Sequence, residues 1–279
     1  MNATGKLRAW LVLARASNLP TVWSNCIAGC WLGGWAPGAT VLLLCVAGSL
    51  FYTGGMFLND FCDVGFDRQY KPDRPIIAGQ VTRREVGLAT AVFMIAGLLL
   101  ALAIKHNVLL WSAILVFVIT AYDFLHKRIS WAPVLMAACR FLLYLTAAAS
   151  GAFGLTPRAL GFALALGFYV VGLSYLARGE SQARRTSMLW LLLLFAPVFA
   201  GFYFDCAVLA LLCALPLLLW ICRAFIVAKQ NVDRGVAALL AGIVLVDLLA
   251  VSPVSLLPWL GFPGLFGAAL LFQRYVPAT

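Results

Sequence analysis

Long uninterrupted apolar runs constrain this chain more strongly than any other feature of its sequence. A helix that crosses a lipid bilayer needs about 20 consecutive apolar residues, and the runs between charged segments have about that length. The runs are continuous rather than alternating with polar residues, so they favour membrane-spanning helices over a β-barrel. About nine such helices are predicted, at residues 18–35, 40–58, 84–104, 108–125, 131–153, 159–176, 188–204, 207–228 and 236–252.

The composition assigns the whole chain to the membrane class. Hydrophobic residues make up 64% of it and charged residues 11%, with a mean hydropathy of +0.99; a soluble domain is about 45–50% apolar and about 25% charged. These values exclude a soluble enzyme, a nucleic-acid-binding domain and a disordered protein. We therefore predict an all-α, multi-pass transmembrane bundle that forms a single domain over residues 1–279. A further apolar run at 256–272, interrupted by Pro258 and Pro263, forms either a tenth helix or a re-entrant segment.

The basic residues are divided unequally between the two ends of the predicted bundle. The N-terminus and every second loop contain Lys6, Arg8, Arg15, Arg68, Lys71, Arg74, Arg83, Arg84, Lys127, Arg128, Arg178, Arg184, Arg185, Arg223, Lys229 and Arg234. The opposite loops contain only Lys105 and Arg158. Because basic loops remain cytoplasmic, we predict a cytoplasmic N-terminus in a plasma membrane of bacterial type. Topology thus explains the net charge of +10, and we predict no nucleic acid partner. The first helix is expected to act as its own insertion signal, without a cleavable leader.

The long polar segment after the second predicted helix is unusually rich in charged residues. Residues 59–83 contain four of the ten acidic residues of the chain. If the helix continues, each residue advances by about 100°, which brings Asn59, Asp60, Asp63 and Asp67 within an arc of about 100°. Carboxylates crowded in this way repel one another. A divalent cation relieves that repulsion, and oxygen ligands of this kind suit Mg²⁺.

Two cations follow the carboxylates closely. Lys71 and Arg74 can supply charge to the phosphate groups that Mg²⁺ commonly holds, and the prolines beside them, Pro72 and Pro75, end the helix and stiffen the segment. The alternative is a solvated loop whose mixed charges form surface ion pairs.

The motif NDFCDVGFDRQYKPDRPI at residues 59–76 resembles the first aspartate-rich motif of the UbiA superfamily of intramembrane prenyltransferases. The helix count and the motif's position after the second helix agree with that family. The resemblance implies a prenyl diphosphate bound through Mg²⁺, with the metal ligands being Asn59, Asp60, Asp63 and Asp67. It further implies a catalytic role for the three aspartates and binding of the diphosphate by Lys71 and Arg74.

A second short segment, at the end of the fourth predicted helix, is similar to the family's Tyr…Lys-Arg element. It begins at Tyr122 and ends with Lys127 and Arg128. The resemblance implies that Tyr122 and Lys127 belong to the catalytic residues. The alternative is that Lys127 and Arg128 serve only as positive-inside residues.

The loop between the sixth and seventh predicted helices departs from the family pattern. The family usually has a second aspartate-rich motif there, whereas residues 175–185 contain one carboxylate, Glu180, and three arginines. One guanidinium group can donate two hydrogen bonds to the oxygens of a phosphate. We therefore predict that Arg178 and Arg184 contact the diphosphate, together with Glu180. Two further charges, Arg140 and Asp247, lie inside predicted helices, where they either pair with each other or line the substrate cavity.

The function expected from these patterns is Mg²⁺-dependent transfer of a prenyl group from a prenyl diphosphate to a small aromatic or polar acceptor within the lipid bilayer. A non-catalytic isoprenoid-binding or transport protein that retains the first motif is the alternative, because the second motif is reduced. A CDP-alcohol phosphotransferase, which also uses intramembrane aspartates, is disfavoured because its DGxxAR-containing pattern is absent.

Overall fold

The computed structural model describes residues 3–181, 188–205, 207–251 and 258–278. Every regular element in these ranges is helical. The α-helices are α1 (Ala3–Leu13), α2 (Leu19–Leu32), α3 (Gly38–Tyr70), α4 (Arg83–Ile104), α5 (His106–Leu125), α6 (Ala132–Ala148), α7 (Pro157–Ser181), α8 (Met188–Leu192), α9 (Ala196–Phe204), α10 (Ala207–Gln230), α11 (Val232–Val251) and α12 (Pro258–Phe272). Single 3₁₀ turns lie at Ala16–Asn18 and Leu193–Phe195.

The all-α membrane bundle is confirmed. Within the described ranges, six helices are long and apolar enough to cross a membrane, namely α3, α4, α5, α7, α10 and α11. Each predicted apolar run corresponds to helical structure, and the run at 188–204 consists of α8, a 3₁₀ turn and α9. The run containing Pro258 and Pro263 forms a helix of 15 residues, α12, which packs against α11 and α2.

Helix α3 is considerably longer than its apolar run. It has 33 residues, so at 1.5 Å per residue it is about 50 Å long, whereas the hydrocarbon core of a bilayer is about 30 Å thick. Its last turns therefore continue beyond the apolar layer and carry the aspartate-rich motif. The helix ends at Tyr70, and its C-cap residue Lys71 (φ −139°, ψ 66°) is followed by Pro72, which cannot continue a helix.

Helix α1 was not predicted, because its 11 residues include several polar ones. Its buried Ala9 and Leu13 pack with Phe57 of α3 and Val86 of α4. After α1 the backbone of Arg15 takes a left-handed conformation, with φ 43° and ψ 49°. This turn redirects the chain into α2 beside the end of α3.

The two larger clusters of buried hydrophobic residues both include residues of α2 and α6. One contains buried residues of α7, α10 and α11, and the other contains buried residues of α3, α4 and α5. The two shared helices approach closely, because a β-carbon at Gly29 would lie only 2.6 Å from the carbonyl oxygen of Tyr144. This close contact fixes the polar face of α2 against α6 beside the cavity described below.

Candidate active site

A cavity of about 360 Å³ lies in the bundle, and helices α3, α5, α6, α7 and α11 contribute to its wall, together with Asn18 of the 3₁₀ turn before α2. Much of this wall is apolar and comprises Phe51, Leu115, Ile119, Leu143, Val170, Leu173 and Ile243. Ala278 also lines the cavity, and its carbonyl oxygen accepts a hydrogen bond of 2.9 Å from Asn18 Nδ2. A space of this composition suits an elongated apolar ligand.

One end of the cavity is polar and cationic, and we call it the mouth; it is lined by Arg15, Lys71, Arg74, Tyr122 and Asp123. Asp60 forms ion pairs with two cations of the mouth. Arg74 Nη1 lies 3.3 Å and Arg15 Nη2 lies 3.8 Å from Asp60 Oδ1. Partial burial, and then the positive charge of Arg74, lowers the pKa of Lys71. The mouth therefore presents three basic side chains to any anion that enters.

Asn59 connects α3 to α5 at the mouth. Its Nδ2 donates a hydrogen bond of 3.1 Å to Asp123 Oδ1, and its Oδ1 accepts one of 3.4 Å from Arg15 Nη2. The second carboxylate oxygen of Asp123 is buried without a hydrogen-bond partner in the described part of the chain. Asp123 lies within the segment from Tyr122 to Arg128 but was not predicted as a site residue, and it adds a carboxylate to the mouth.

Asp63 is held by the segment that follows α5. Lys127 Nζ lies 2.9 Å and His126 Nε2 3.4 Å from Asp63 Oδ1. Burial lowers the pKa of His126, but its hydrogen bond with Asp63 and the negative charge of that carboxylate outweigh burial, so the pKa is raised overall. Tyr122, which lines the mouth, stacks on the His126 ring at 5.1 Å between centroids. The two sequence segments singled out above therefore meet in space.

The residues predicted as metal ligands are adjacent, but they are not gathered around a single point. Asp60 contacts Arg15 and Arg74, Asp63 contacts Lys127 and His126, and Asp67 is buried one helical turn further on. Among the described residues, no group of three His, Cys, Asp or Glu side chains converges as a metal site. The donor set nevertheless fits Mg²⁺ chemically, because it consists of carboxylate and amide oxygens beside cations that suit phosphate.

The arginine-rich loop after α7 is only partly described. Arg178 Nη1 donates a hydrogen bond of 2.7 Å to the carbonyl oxygen of Ser130, in the connection between α5 and α6. Arg178 is not among the residues lining the cavity, and its contact with a diphosphate stays a prediction. The side chains of Glu180 and Arg184 lie outside the described residues, so their predicted roles also stay predictions.

Arg15 was not recognised from the sequence as a site residue, whereas for Arg140 the sequence left open pairing with Asp247 or lining the cavity. Arg15 was predicted only as a cytoplasmic charge, although its position at the start of the first apolar run, at the same end as the acidic motif, already pointed to the mouth. Arg140 lines the cavity away from the mouth, and Asn25 connects it to Asp247: Asn25 Oδ1 accepts from Arg140 Nη1, and Asn25 Nδ2 donates to Asp247 Oδ2. The two intrahelical charges therefore interact through an intervening amide.

Comparison with curated proteins finds similarity over part of the chain. The chain is 38% identical over 104 residues to digeranylgeranylglyceryl phosphate synthase of Ignicoccus hospitalis, covering 37% of this chain and 34% of that protein. It is 33% identical over 119 residues to 4-hydroxybenzoate octaprenyltransferase of Acidovorax ebreus, covering 41% and 38% respectively. The matched segments thus span little more than a third of the length of these relatives.

Solved structures match over nearly the whole chain. A structure from a study of digeranylgeranylglyceryl phosphate synthase in membranes has a TM-score of 0.58 at 18% identity and covers 98% of both chains. A UbiA homologue from Archaeoglobus fulgidus, solved bound to GPP and Mg²⁺, has a TM-score of 0.53 at 16% identity and covers 96% of this chain and 97% of its own. At these identities the likeness establishes the fold. The sequence also matches the UbiA prenyltransferase family over residues 17–238, and the chain therefore belongs to that family.

Proposed function

We propose that this protein is a Mg²⁺-dependent prenyltransferase, which transfers a prenyl group from a prenyl diphosphate to a small aromatic or polar acceptor within the membrane. The observation that carries the proposal is the cavity itself, whose apolar wall ends at a mouth with three basic side chains beside an aspartate-rich helix end. Family membership and the GPP and Mg²⁺ bound to the Archaeoglobus fulgidus homologue support it.

Residues at the mouth and next to it have distinct roles in this proposal. Asn59, Asp60, Asp63 and Asp67 would hold Mg²⁺, which when bound supplies positive charge to the diphosphate leaving group. Lys71 and Arg74, joined by Arg15, bind the diphosphate oxygens by charge-assisted hydrogen bonds. Arg178, Arg184 and Glu180 are proposed to contact the diphosphate from the loop after α7.

The reaction begins with cleavage of the bond between the first prenyl carbon and the diphosphate oxygen, whose electron pair leaves with the diphosphate. The resulting allylic cation is attacked by an electron pair of the acceptor, and the acceptor then loses a proton. The apolar wall excludes water that would otherwise capture the cation. We assign Tyr122 the role of facing the cation with its electron-rich ring, and Lys127 that of orienting Asp63, which it contacts at 2.9 Å.

The test measures the release of diphosphate from geranyl diphosphate by purified, detergent-solubilised protein, with and without Mg²⁺. Asp63→Asn removes one charge at the proposed metal site, and we expect it to abolish Mg²⁺-dependent binding and release. Asp73→Asn is the matched control, because Asp73 is exposed in the same segment and lines no part of the cavity. Equal activity and equal Mg²⁺ dependence in Asp63→Asn and the wild type would contradict the proposal.

A second candidate is a non-catalytic protein that binds isoprenoid lipids, favoured by the single carboxylate among residues 175–185. The same experiment separates the two. Mg²⁺-dependent binding of a geranyl diphosphate analogue, without release of diphosphate from geranyl diphosphate for any acceptor supplied, would favour this second function.

A further inference from the structure

A positively charged side chain lies deep in the cavity, well away from the mouth. Arg140 of α6 lines the cavity, and its guanidinium carbon is 5.5 Å from the centroid of the Tyr52 ring. Tyr52 precedes Asn59 by seven positions on α3, which corresponds to about 10 Å along the helix axis. Arg140 is therefore about two helical turns deeper than the first residue of the aspartate-rich motif.

All hydrogen-bond partners of Arg140 that the structure gives are neutral. Nη1 donates to Asn25 Oδ1 at 2.9 Å and to the carbonyl oxygen of Thr21 at 3.3 Å, and Nη2 donates to Thr21 Oγ1 at 3.0 Å. Within the described part of the chain, no carboxylate lies within 4 Å of this guanidinium. A cation held inside the bilayer without a contacting anion is costly, and such residues usually mark substrate sites.

Asp247 is connected to Arg140 through Asn25 and forms no ion pair with its guanidinium group. Asp247 Oδ2 accepts hydrogen bonds from Ser24 and Asn25, and Asp247 does not line the cavity. Asn25 thus lies between the two charges and holds the guanidinium in place through its own oxygen. These contacts use three of the five N–H groups that an arginine carries, so donors remain for a ligand in the cavity.

We infer that Arg140 binds an oxyanion of the prenyl acceptor, either a carboxylate or a phosphate ester, at the deep end of the cavity. This inference rests on the proposed function, because it assigns a class of acceptor to the same cavity. An acceptor anchored there presents its opposite end to the mouth, where the allylic carbon is released. A prenyl chain gains nothing from a guanidinium group, so the chain lies against the apolar wall formed by α5 and α7.

The test uses two pairs of probes, each consisting of an anion and a neutral partner. The carboxylate pair is 4-hydroxybenzoate and 4-hydroxybenzamide, and the phosphate pair is glycerol phosphate and glycerol. Titration calorimetry on the full chain, loaded with Mg²⁺ and a non-hydrolysable geranyl diphosphate analogue, gives the affinity of each probe. We expect one anion to bind at least about tenfold more tightly than its neutral partner, and the pair in which this occurs identifies carboxylate or phosphate.

In Arg140→Gln that preference should fall to less than about twofold, while the affinity for the geranyl diphosphate analogue stays within about twofold of the wild type. The inference is overturned if neither anion is preferred by the wild type, or if Arg140→Gln keeps the preference. Failure of the wild type to bind the geranyl diphosphate analogue is a separate readout, and it counts against the proposed function itself.

Because Arg140 also holds α6 to α2, a second pair of variants leaves it in place. Met136 lines the cavity one turn before Arg140 on α6, so Met136→Glu supplies a carboxylate at the i, i+4 spacing that pairs with arginine. We expect Met136→Glu to abolish the preference for the anionic probe, and Met136→Gln, of equal length but uncharged, to retain it. Equal preference in these two variants would overturn the inference.

Discussion

Arg15 brings one guanidinium group into contact with several groups at the cavity mouth. Its Nη1 donates to Met56 Sδ at 3.3 Å, and its Nη2 contacts Asn59 and Asp60. Its Nε is buried without a hydrogen-bond partner among the described residues. A buried N–H group without a partner costs about 1–3 kcal/mol, and this one belongs to a side chain that lines the proposed diphosphate site. A phosphate oxygen is a suitable acceptor for it.

We therefore predict that Arg15→Gln weakens the binding of geranyl diphosphate by about 1.5–3 kcal/mol, the value of a charge-assisted hydrogen bond. Geraniol, which lacks the phosphates, should bind as it does to the wild type. Titration of both ligands into the solubilised protein measures the difference. Arg8→Gln is the control, because Arg8 is an exposed cation of α1 that does not line the cavity. Equal losses for diphosphate and alcohol would indicate a general structural defect instead.

At the scale of the helices, the contact between α2 and α6 depends on the absence of a side chain at Gly29. A β-carbon there would approach both the Tyr144 carbonyl oxygen, at 2.6 Å, and the Ala147 β-carbon, at 2.9 Å. Backbone atoms cannot move away as a flexible side chain can, so a methyl group must separate the helices. The same two helices carry Thr21, Asn25 and Arg140, so their separation also disturbs the deep end of the cavity.

Gly29→Ala should consequently destabilise the protein by about 1–3 kcal/mol, the usual cost of overpacking a core. Gly167→Ala in α7 is the matched control, because a β-carbon there meets nothing within 4 Å and alanine exceeds glycine in helix propensity by about 1 kcal/mol. Unfolding in mixed micelles measures both variants. An unchanged or increased stability of Gly29→Ala would show that α2 and α6 can separate without cost.

Helix positions could be predicted from the sequence, whereas much of the geometry of the candidate site could not. Apolar runs fix where helices lie because each span must satisfy its backbone inside the bilayer. The same reasoning misses α1 and ends α3 too early, since polar helical turns outside the bilayer give no hydropathy signal. The one-faced arrangement of Asn59, Asp60 and Asp63 followed from helical periodicity. The contacts of Asp63 with Lys127 and of Asn59 with Asp123 depend on how α3 packs against α5, which no local pattern specifies.

At the scale of the whole molecule, the two ends of the bundle differ in how they are closed. At the end opposite the mouth, Arg158 pairs with Asp205 through two hydrogen bonds of 2.8 and 3.0 Å and also donates to the Ala250 carbonyl oxygen. These contacts join the ends of α7, α9 and α11. The mouth instead presents Arg15, Lys71 and Arg74 to the cavity. Hydrogen bonds of Arg158 therefore connect the helices at one end of the bundle, and basic side chains at the other end are accessible to an anionic ligand.

This polarity, together with the distribution of basic residues, predicts that the mouth opens to the cytoplasm. Single cysteines at Ala78, in the exposed turn before α4, and at Ala152, exposed between α6 and α7, report the two ends. In intact cells a membrane-impermeant maleimide should label Ala152→Cys, and it should label Ala78→Cys only after the membrane is opened. All eight native cysteines are first replaced by serine, so that each variant carries a single thiol. Labelling of Ala78→Cys from outside would reverse the topology, and the mouth would then face away from the cytoplasm.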